Sequence, residues 1–412
     1  MPYDFTLDDV EFLRSPDGVT ALDDAAALDL STSTIIADIA RLRSRYAPWD
    51  AALVDTVRCR RRAVGKIRDA QRWLFTDTAL QQATATAVAD NRADRIARRW
   101  PGASVHDVTC SIGGELAALA RHPDLDAVSG SDLDPVRVAM ARHNLDVSDL
   151  TAALTVADAL DPGTAGGSAA VGAARADVVI ADPGRRSGSG RVFRIDHLTP
   201  PLPDLFEAYR GRPMVVKCAP GIDYDALRES HGFTGEAQIV SLDAGVREAC
   251  LWTGTDDDIE RRATVLRSTD DGVVGYEVTD TEPDDVDPGD PATWIIDPDG
   301  AVVRAGLVRQ YAYRHGLRQL DPQIAYLTGD AIPPGERGFR ILQQVGVSEK
   351  SLRRLMAEHD CGTLEILVRG LDVDPDALRR RLRLRGGRSL ALVLTRIGRR
   401  GVGFLCEAGV RG

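Results

Sequence analysis

Four aspartates stand at nearly even intervals through the middle of the chain. Asp132 follows Asp107 by 25 residues, Asp158 follows by 26 more and Asp182 by a further 24. Each closes a short apolar run. That spacing is one strand-plus-helix unit per step, so one carboxylate falls at each C-terminal strand edge, where open α/β sheets bind ligands. The first acid lies in His106-Asp107-Val108-Thr109-Cys110-Ser111-Ile112-Gly113-Gly114-Glu115. This reads as a buried strand, a tight turn and the start of a helix. Paired glycines let the backbone pass close to a ligand, and the helix start offers free N–H groups.

The residue types then divide the work. Asp107, Gly113 and Gly114 are expected to hold a cofactor by close backbone approach, with Cys110 packed under their loop. Asp132 ends the second strand and is placed to accept both hydroxyls of a ribose. Asp134 caps the helix that Pro135 opens. Asp158 is placed to accept from an adenine amino group. Asp182, followed by Pro183, lies where the fourth strand meets the substrate cleft. Arg185 and Arg186 just beyond it suit phosphate contact. A dehydrogenase fingerprint needs G-x-G-x-x-G at the helix start. Here there is one usable glycine pair and no third, and Asp158 and the Asp-Pro element have no job in that scheme.

Residues 1–95 read as a helical region, with amphipathic segments over Ala21–Ile39, Ala51–Phe75 and Asp77–Trp100. Residues 96–255 alternate strands and helices. Strands are expected at Val105–Thr109, Ala127–Ser131, Leu154–Ala157, Ala176–Ala181, Pro213–Lys217, Glu236–Ser241 and Glu248–Thr253. Seven strands with a short turn before the last make a Rossmann-like α/β sheet ending in an antiparallel hairpin. Residues 256–336 form an acidic, β-containing connecting region, with a mobile loop over Thr281–Asp290. Residues 337–412 return to mixed α/β.

At 412 residues the chain is too long for one ordinary core. The net charge of −11 argues against a nucleic-acid partner only if charge is spread evenly, and it is not. Residues 41–72 carry +7, residues 256–300 carry −12 and residues 337–412 carry +8. The arginines from Arg58 to Arg72 are expected to form one basic helix face, and two basic regions flanking an acidic one suggest a local electrostatic footprint. The six cysteines form no Cys-x-x-Cys pair and the histidines show no ligand spacing, so no metal is expected. No apolar run approaches a bilayer span and the N-terminus lacks an apolar h-region, so a reduced cytoplasmic protein is expected.

Asp107 to Gly114, Gly130–Pro135 with Ala141-Arg142-His143-Asn144, Asp158, and Asp182-Pro183 resemble the successive motifs of class I S-adenosylmethionine-dependent methyltransferases. The first motif is most similar to trimethylguanosine-synthase-like RNA methyltransferases, although Ser111 stands where that motif usually has glycine. Trp73-Leu74-Phe75-Thr76 with Gln82-Ala83-Thr84, and Tyr326 through Glu407, resemble bacterial methyltransferases bearing a C-terminal THUMP-like domain. The resemblance implies S-adenosyl-L-methionine as cofactor, with Phe75, Thr76 and Gln82 on its side of the site, and Asp182 and Pro183 as the catalytic pair. It also implies a structured RNA substrate, tRNA or rRNA. Amino-group methyltransferases have an aromatic after the proline, and this chain has Gly184-Arg185. Asp182-Pro183-x-Arg185 also resembles the uracil-C5 RNA methyltransferases, in which a nucleophilic cysteine stands in a Cys-x-Pro setting. Cys218-Ala219-Pro220 has that form, and Lys217 beside it is placed either to lower the thiol pKa or to contact substrate. A non-catalytic RNA-binding module on a degenerate methyltransferase fold is the third reading.

Overall fold

Ser15 sets how the first helices join. Its backbone ends α1 (Leu7–Arg14), and its Oγ accepts from Gly18 N at 3.0 Å to open α2 (Pro16–Ala26). The computed structural model describes residues 3–161, 175–185, 198–255 and 258–412. Four more helices follow in the N-terminal stretch: α3 (Ile35–Tyr46), α4 (Asp50–Ala63), α5 (Asp77–Gln82) and α6 (Thr86–Arg99). The long helices expected there are broken at identifiable points. Leu30 takes a left-handed φ of 53°, and Gly65 at φ 80° follows the end of α4, so the helix expected to reach Phe75 stops at Ala63. Thr76 caps α5 by accepting from Ala79 N.

The chain divides into two compact units, Met1–Glu236 with Arg247–Asp256, and Ala237–Val246 with Asp257–Gly412. In the first unit β1 (Ser104–Asp107) leads through α7 (Gly114–Arg121) to β2 (Ala127–Asp132), and through α8 (Pro135–Val147) to β3 (Ala153–Val156). Then come β4 (Val178–Ala181), the small antiparallel pair β5 (Gly184–Arg185) and β6 (Leu198–Thr199), β7 (Met214–Cys218), β8 (Glu236–Leu242) and β9 (Gly245–Trp252). All seven expected strands form. Six of them run in the first unit in the order β3-β2-β1-β4-β7-β9, parallel except for β9 against β7. The boundary expected after residue 95 falls inside α6, and the core is continuous across it: Leu53, Leu74, Phe75 and Ile96 are buried with Val105, Leu116, Ile180 and Trp252.

In the second unit β10 (Arg261–Thr269) runs parallel to β8, and β11 (Gly272–Thr279) runs back along β10. An eight-stranded sheet follows, built from β12 (Trp294–Asp297), β13 (Arg318–Asp321), β14 (Ile324–Gly329), β15 (Arg337–Gly346), β16 (Cys361–Arg369), β17 (Arg388–Ile397), β18 (Arg400–Glu407) and β19 (Val410–Arg411). Helices Glu349–Glu358 and Pro375–Leu382 cover one face through Leu352, Leu355, Leu378 and Leu382. Ile295 of β12 pairs with Phe339 of β15, so the division expected at 336/337 runs through a sheet. The acidic stretch expected as a mobile loop packs instead: Val286 is buried and Glu282 pairs with Arg314.

The expected basic helix face is largely consumed internally. Arg61 donates to the carbonyls of Ala26, Leu28 and Asp29, satisfying acceptors that the end of α2 leaves open. Arg60 donates to the carbonyls of Arg72 and Trp73, Lys66 to that of Leu80, and Arg62 and Arg68 pair with Asp77 and Asp90.

Candidate active site

The four acids fall where strand pairing places them. Asp107 and Asp132 are the last residues of β1 and β2, Asp182 is the first beyond β4 and Asp158 the second beyond β3. Asp107 stands opposite Gly130 and Ile180, and Asp132 opposite Val156, so the ladder lines one edge of the parallel sheet.

Backbone geometry fixes the turn after β1. Ser111 adopts φ 48° and Gly113 φ 85°. Ser111 thus meets with a Cβ the left-handed conformation that glycine adopts freely. Asp132 holds that turn: its Oδ2 accepts from Ser111 N at 2.9 Å and its Oδ1 from Asp134 N at 2.9 Å. Gly113 lies against Ala141 of α8, with 3.3 Å between its ideal Cβ and that methyl, whereas a Cβ on Gly114 would meet open space. Cys110 is buried, and a Cβ on Gly130 would lie 2.9 Å from its Cβ. Asn144, fully buried on α8, ties the turn to the 73–76 segment. Its Oδ1 accepts from Leu74 N, and its Nδ2 donates to the carbonyls of Leu74 and Ile112.

That clamp corrects the expectation for Phe75. Its ring is fully buried in the core near Trp73, so it supports the segment without facing the edge. Thr76 is half-buried and serves as a helix cap, and Gln82 is exposed at the end of α5. Asp158 is exposed, and its Oδ1 accepts from Leu160 N. Two apolar side chains that the sequence did not single out stand exposed beside the second and third acids, Leu133 at 71% and Val156 at 52%.

Asp107 and Asp182 are joined through Thr109. Asp107 Oδ1 accepts from Thr109 N at 3.0 Å and from its hydroxyl at 3.4 Å, and Thr109 Oγ1 accepts from Asp182 N at 2.6 Å. Burial pushes the Asp107 carboxyl up to about 7, with the Thr109 N–H opposing. Lys217 Nζ donates to Asp182 Oδ2 at 2.6 Å and lies 3.8 Å from Glu115 Oε2. Arg92 of α6 donates to both Glu115 oxygens at 2.6 Å and also to Glu248 of β9. Burial disfavours the Lys217 charge, yet the Asp182 and Glu115 carboxylates hold its pKa above the usual lysine value. Glu115, Arg92 and Glu248 escaped the sequence reading. The available signal was two arginines, Arg92 and Arg95, set among the buried apolar residues Ala89, Ala93 and Ile96.

Strand alternation separates Lys217 from Cys218, because successive side chains point to opposite faces. Burial pushes the Cys218 thiol well above its usual value, and neighbouring Cys250 and Asp182 add to this. Burial there favours the neutral thiol over the thiolate that a cysteine nucleophile needs. Pro183 is buried beside exposed Asp182; the Arg185 side chain and Arg186 lie outside the described residues. Among the described residues no group of three or more acids, histidines or cysteines could hold a metal, and no helix is long and apolar enough to cross a membrane.

Residues 336–408 match the family model "THUMP domain-like", and residues 6–63 match a domain of unknown function, DUF8688. Two uncharacterized S-adenosylmethionine-dependent methyltransferases from strains of Mycobacterium tuberculosis are each 52% identical over 368 residues, covering 87% of this chain and 96% of theirs. A crystal structure of a candidate methyltransferase from Porphyromonas gingivalis superimposes with a TM-score of 0.72, at 19% identity, over 98% of this chain and 99% of that one. The chain belongs to the class I S-adenosylmethionine-dependent methyltransferases, with a THUMP-like domain following the methyltransferase sheet.

Proposed function

We propose that the protein methylates a base in structured RNA, tRNA or rRNA, with Asp182 and Pro183 at the point of transfer. The observation that carries this is Asp182 itself. It is exposed at the strand edge, with one carboxylate oxygen pinned to Lys217 and its backbone N–H to Thr109. A carboxylate so held is ready to accept a hydrogen bond from the group that takes the methyl.

The edge fits S-adenosylmethionine. Gly114 opens onto free space at the start of α7, Asp132 and Asp158 follow on adjacent strands, and Leu133 and Val156 offer an apolar surface of the kind a flat ring covers. On this reading Asp107, Gly113 and Gly114 hold the amino-acid end, Asp132 the ribose and Asp158 the adenine. Cys110, Phe75, Thr76 and Gln82 shape the loop and the segment beside it. When bound, the cofactor supplies an electrophilic methyl group on its sulfonium.

The RNA part rests on the THUMP-like domain. The side chains of Arg380, Arg383, Arg385, Arg388, Arg399 and Arg400 are exposed and make no hydrogen bond or ion pair among the described residues. Arg383, Arg385 and Arg388 flank a turn held rigid by Asp360, whose Oδ2 accepts from Gly387 N and whose carbonyl accepts from Arg388 N. Guanidinium groups carried on a held turn of this kind suit a phosphate backbone. Mass spectrometry of RNA nucleosides from a strain lacking the protein tests the reading: one methylated nucleoside should disappear, and an unchanged profile would overturn it.

A further inference from the structure

We infer that Lys217 is a positioning residue for methyl transfer: its buried ammonium, braced by the Arg92–Glu115 pair, holds Asp182 in the orientation that meets the methyl acceptor. This rests on the reading that Asp182 contacts the acceptor.

Lys217 arrives on β7, the strand beside β4, with 10% of its side chain exposed, so it does not reach out to a large substrate. Charged groups from three elements meet it or its partner: Asp182 beyond β4, Glu115 of α7, and Arg92 of α6 on the far side of Glu115. Glu115 and Arg92 are almost wholly buried, whereas the Asp182 side chain is 42% exposed. The exposed end of this chain of charges is thus the carboxylate at the sheet edge. A carboxylate on a loop has two free torsions and no reason to keep one rotamer. Here Lys217 fixes Oδ2 at 2.6 Å and Thr109 fixes the backbone N–H at 2.6 Å, which leaves Oδ1 and the backbone carbonyl to face an acceptor. Lysine binds as a point charge with no shape of its own, so its direction must come from its surroundings. Glu115 supplies it, and Arg92 Nη1, donating to both Glu115 oxygens, stops Glu115 from turning away.

The test uses full-length protein, tritiated S-adenosylmethionine and whole lysate of a strain lacking the protein, so that any class of acceptor is present. Affinity for S-adenosylhomocysteine is measured alongside by calorimetry. Lys217→Met should lower turnover about 10- to 100-fold, the range expected when a charge-assisted hydrogen bond that orients the acting group is lost, with cofactor affinity within about threefold. Lys217→Arg should restore part of the rate, and a purely packing role would not respond to charge in this way. Because Lys217→Met leaves the buried Glu115 and Glu248 carboxylates to Arg92, the double variant Lys217→Met/Glu115→Gln removes one charge of each sign and guards against misfolding. It should bind cofactor and still transfer slowly. Full turnover in either variant overturns the inference. Ribonuclease treatment of the labelled lysate decides the other question: label that survives it overturns the RNA reading and leaves the Lys217 result standing. A wild-type protein that labels nothing overturns both.

Discussion

The ammonium of Lys217 lies 2.6 Å from Oδ2 of Asp182, a bond between the ends of two neighbouring parallel strands. Asp182 is therefore set apart from the cofactor acids by its partner as well as by its place. Asp182→Ala should abolish methyl transfer while leaving S-adenosylhomocysteine affinity within a few-fold, measured by calorimetry. Loss of both together would show that Asp182 holds cofactor.

Asp132 holds the turn and, on the proposed reading, also meets the ribose, and its substitution should show both. Its carboxylate already accepts from Ser111 N and Asp134 N, so Asp132→Ala loosens the turn besides removing a ribose partner. Cofactor binding should weaken by about 1.5–3 kcal/mol, with a drop in thermal midpoint of the cofactor-free protein. Unchanged affinity would remove Asp132 from the ribose role.

Asp107 makes stability depend on pH. Its folded pKa is raised by burial to about 7 from an ordinary 3.8, so the folded state prefers the protonated acid. The stability this group allows is complete below about pH 4 and is lost as pH climbs towards 7, up to about 4 kcal/mol at neutral pH. Asp107→Asn should flatten the slope of urea midpoint against pH between 4 and 7. A variant with the same slope as wild type would place the titration elsewhere.

Removing the Asn144 amide leaves Leu74 N and two carbonyls without partners inside the core. Asn144→Ala should cost about 2–4 kcal/mol in urea unfolding, and cofactor affinity should fall because Ile112 next to Gly113 loses its anchor.

The turn at Gly386-Gly387 offers a charge test. Arg385→Glu/Arg388→Glu should make RNA binding weaker and less sensitive to salt, lowering the log–log slope by about two if each arginine meets one phosphate. A slope equal to that of wild type would remove this turn from the RNA surface.

The acid ladder was legible because a parallel sheet repeats in sequence as it repeats in space: Asp107, Asp132 and Asp182 each follow a short apolar strand. Helix breaks in the N-terminal region were not, since Leu30 takes a left-handed conformation that its side chain does not advertise. Nor was the fate of its arginines, because a guanidinium that ties down carbonyls looks in sequence like one that faces water; Arg61 does the former. Strand β10 went unseen because Arg261-Arg262 and Arg267-Ser268 frame a core of only four buried residues. Lys217 was singled out for its neighbour Cys218, and the pairing that matters runs sideways across the sheet to Asp182.

The buried contacts of α6 bear on how this family can be divided. Arg92 meets Glu115 and Glu248, and Arg95 meets Glu236 and lies over the Trp252 ring. A fragment begun at residue 96 would leave Glu115, Glu236 and Glu248 without Arg92 and Arg95, in a core that has also lost Leu53, Leu74 and Phe75. The helices before the sheet are thus not a removable appendage, and exchanging them between relatives would succeed only where the arginines and their acids travel together.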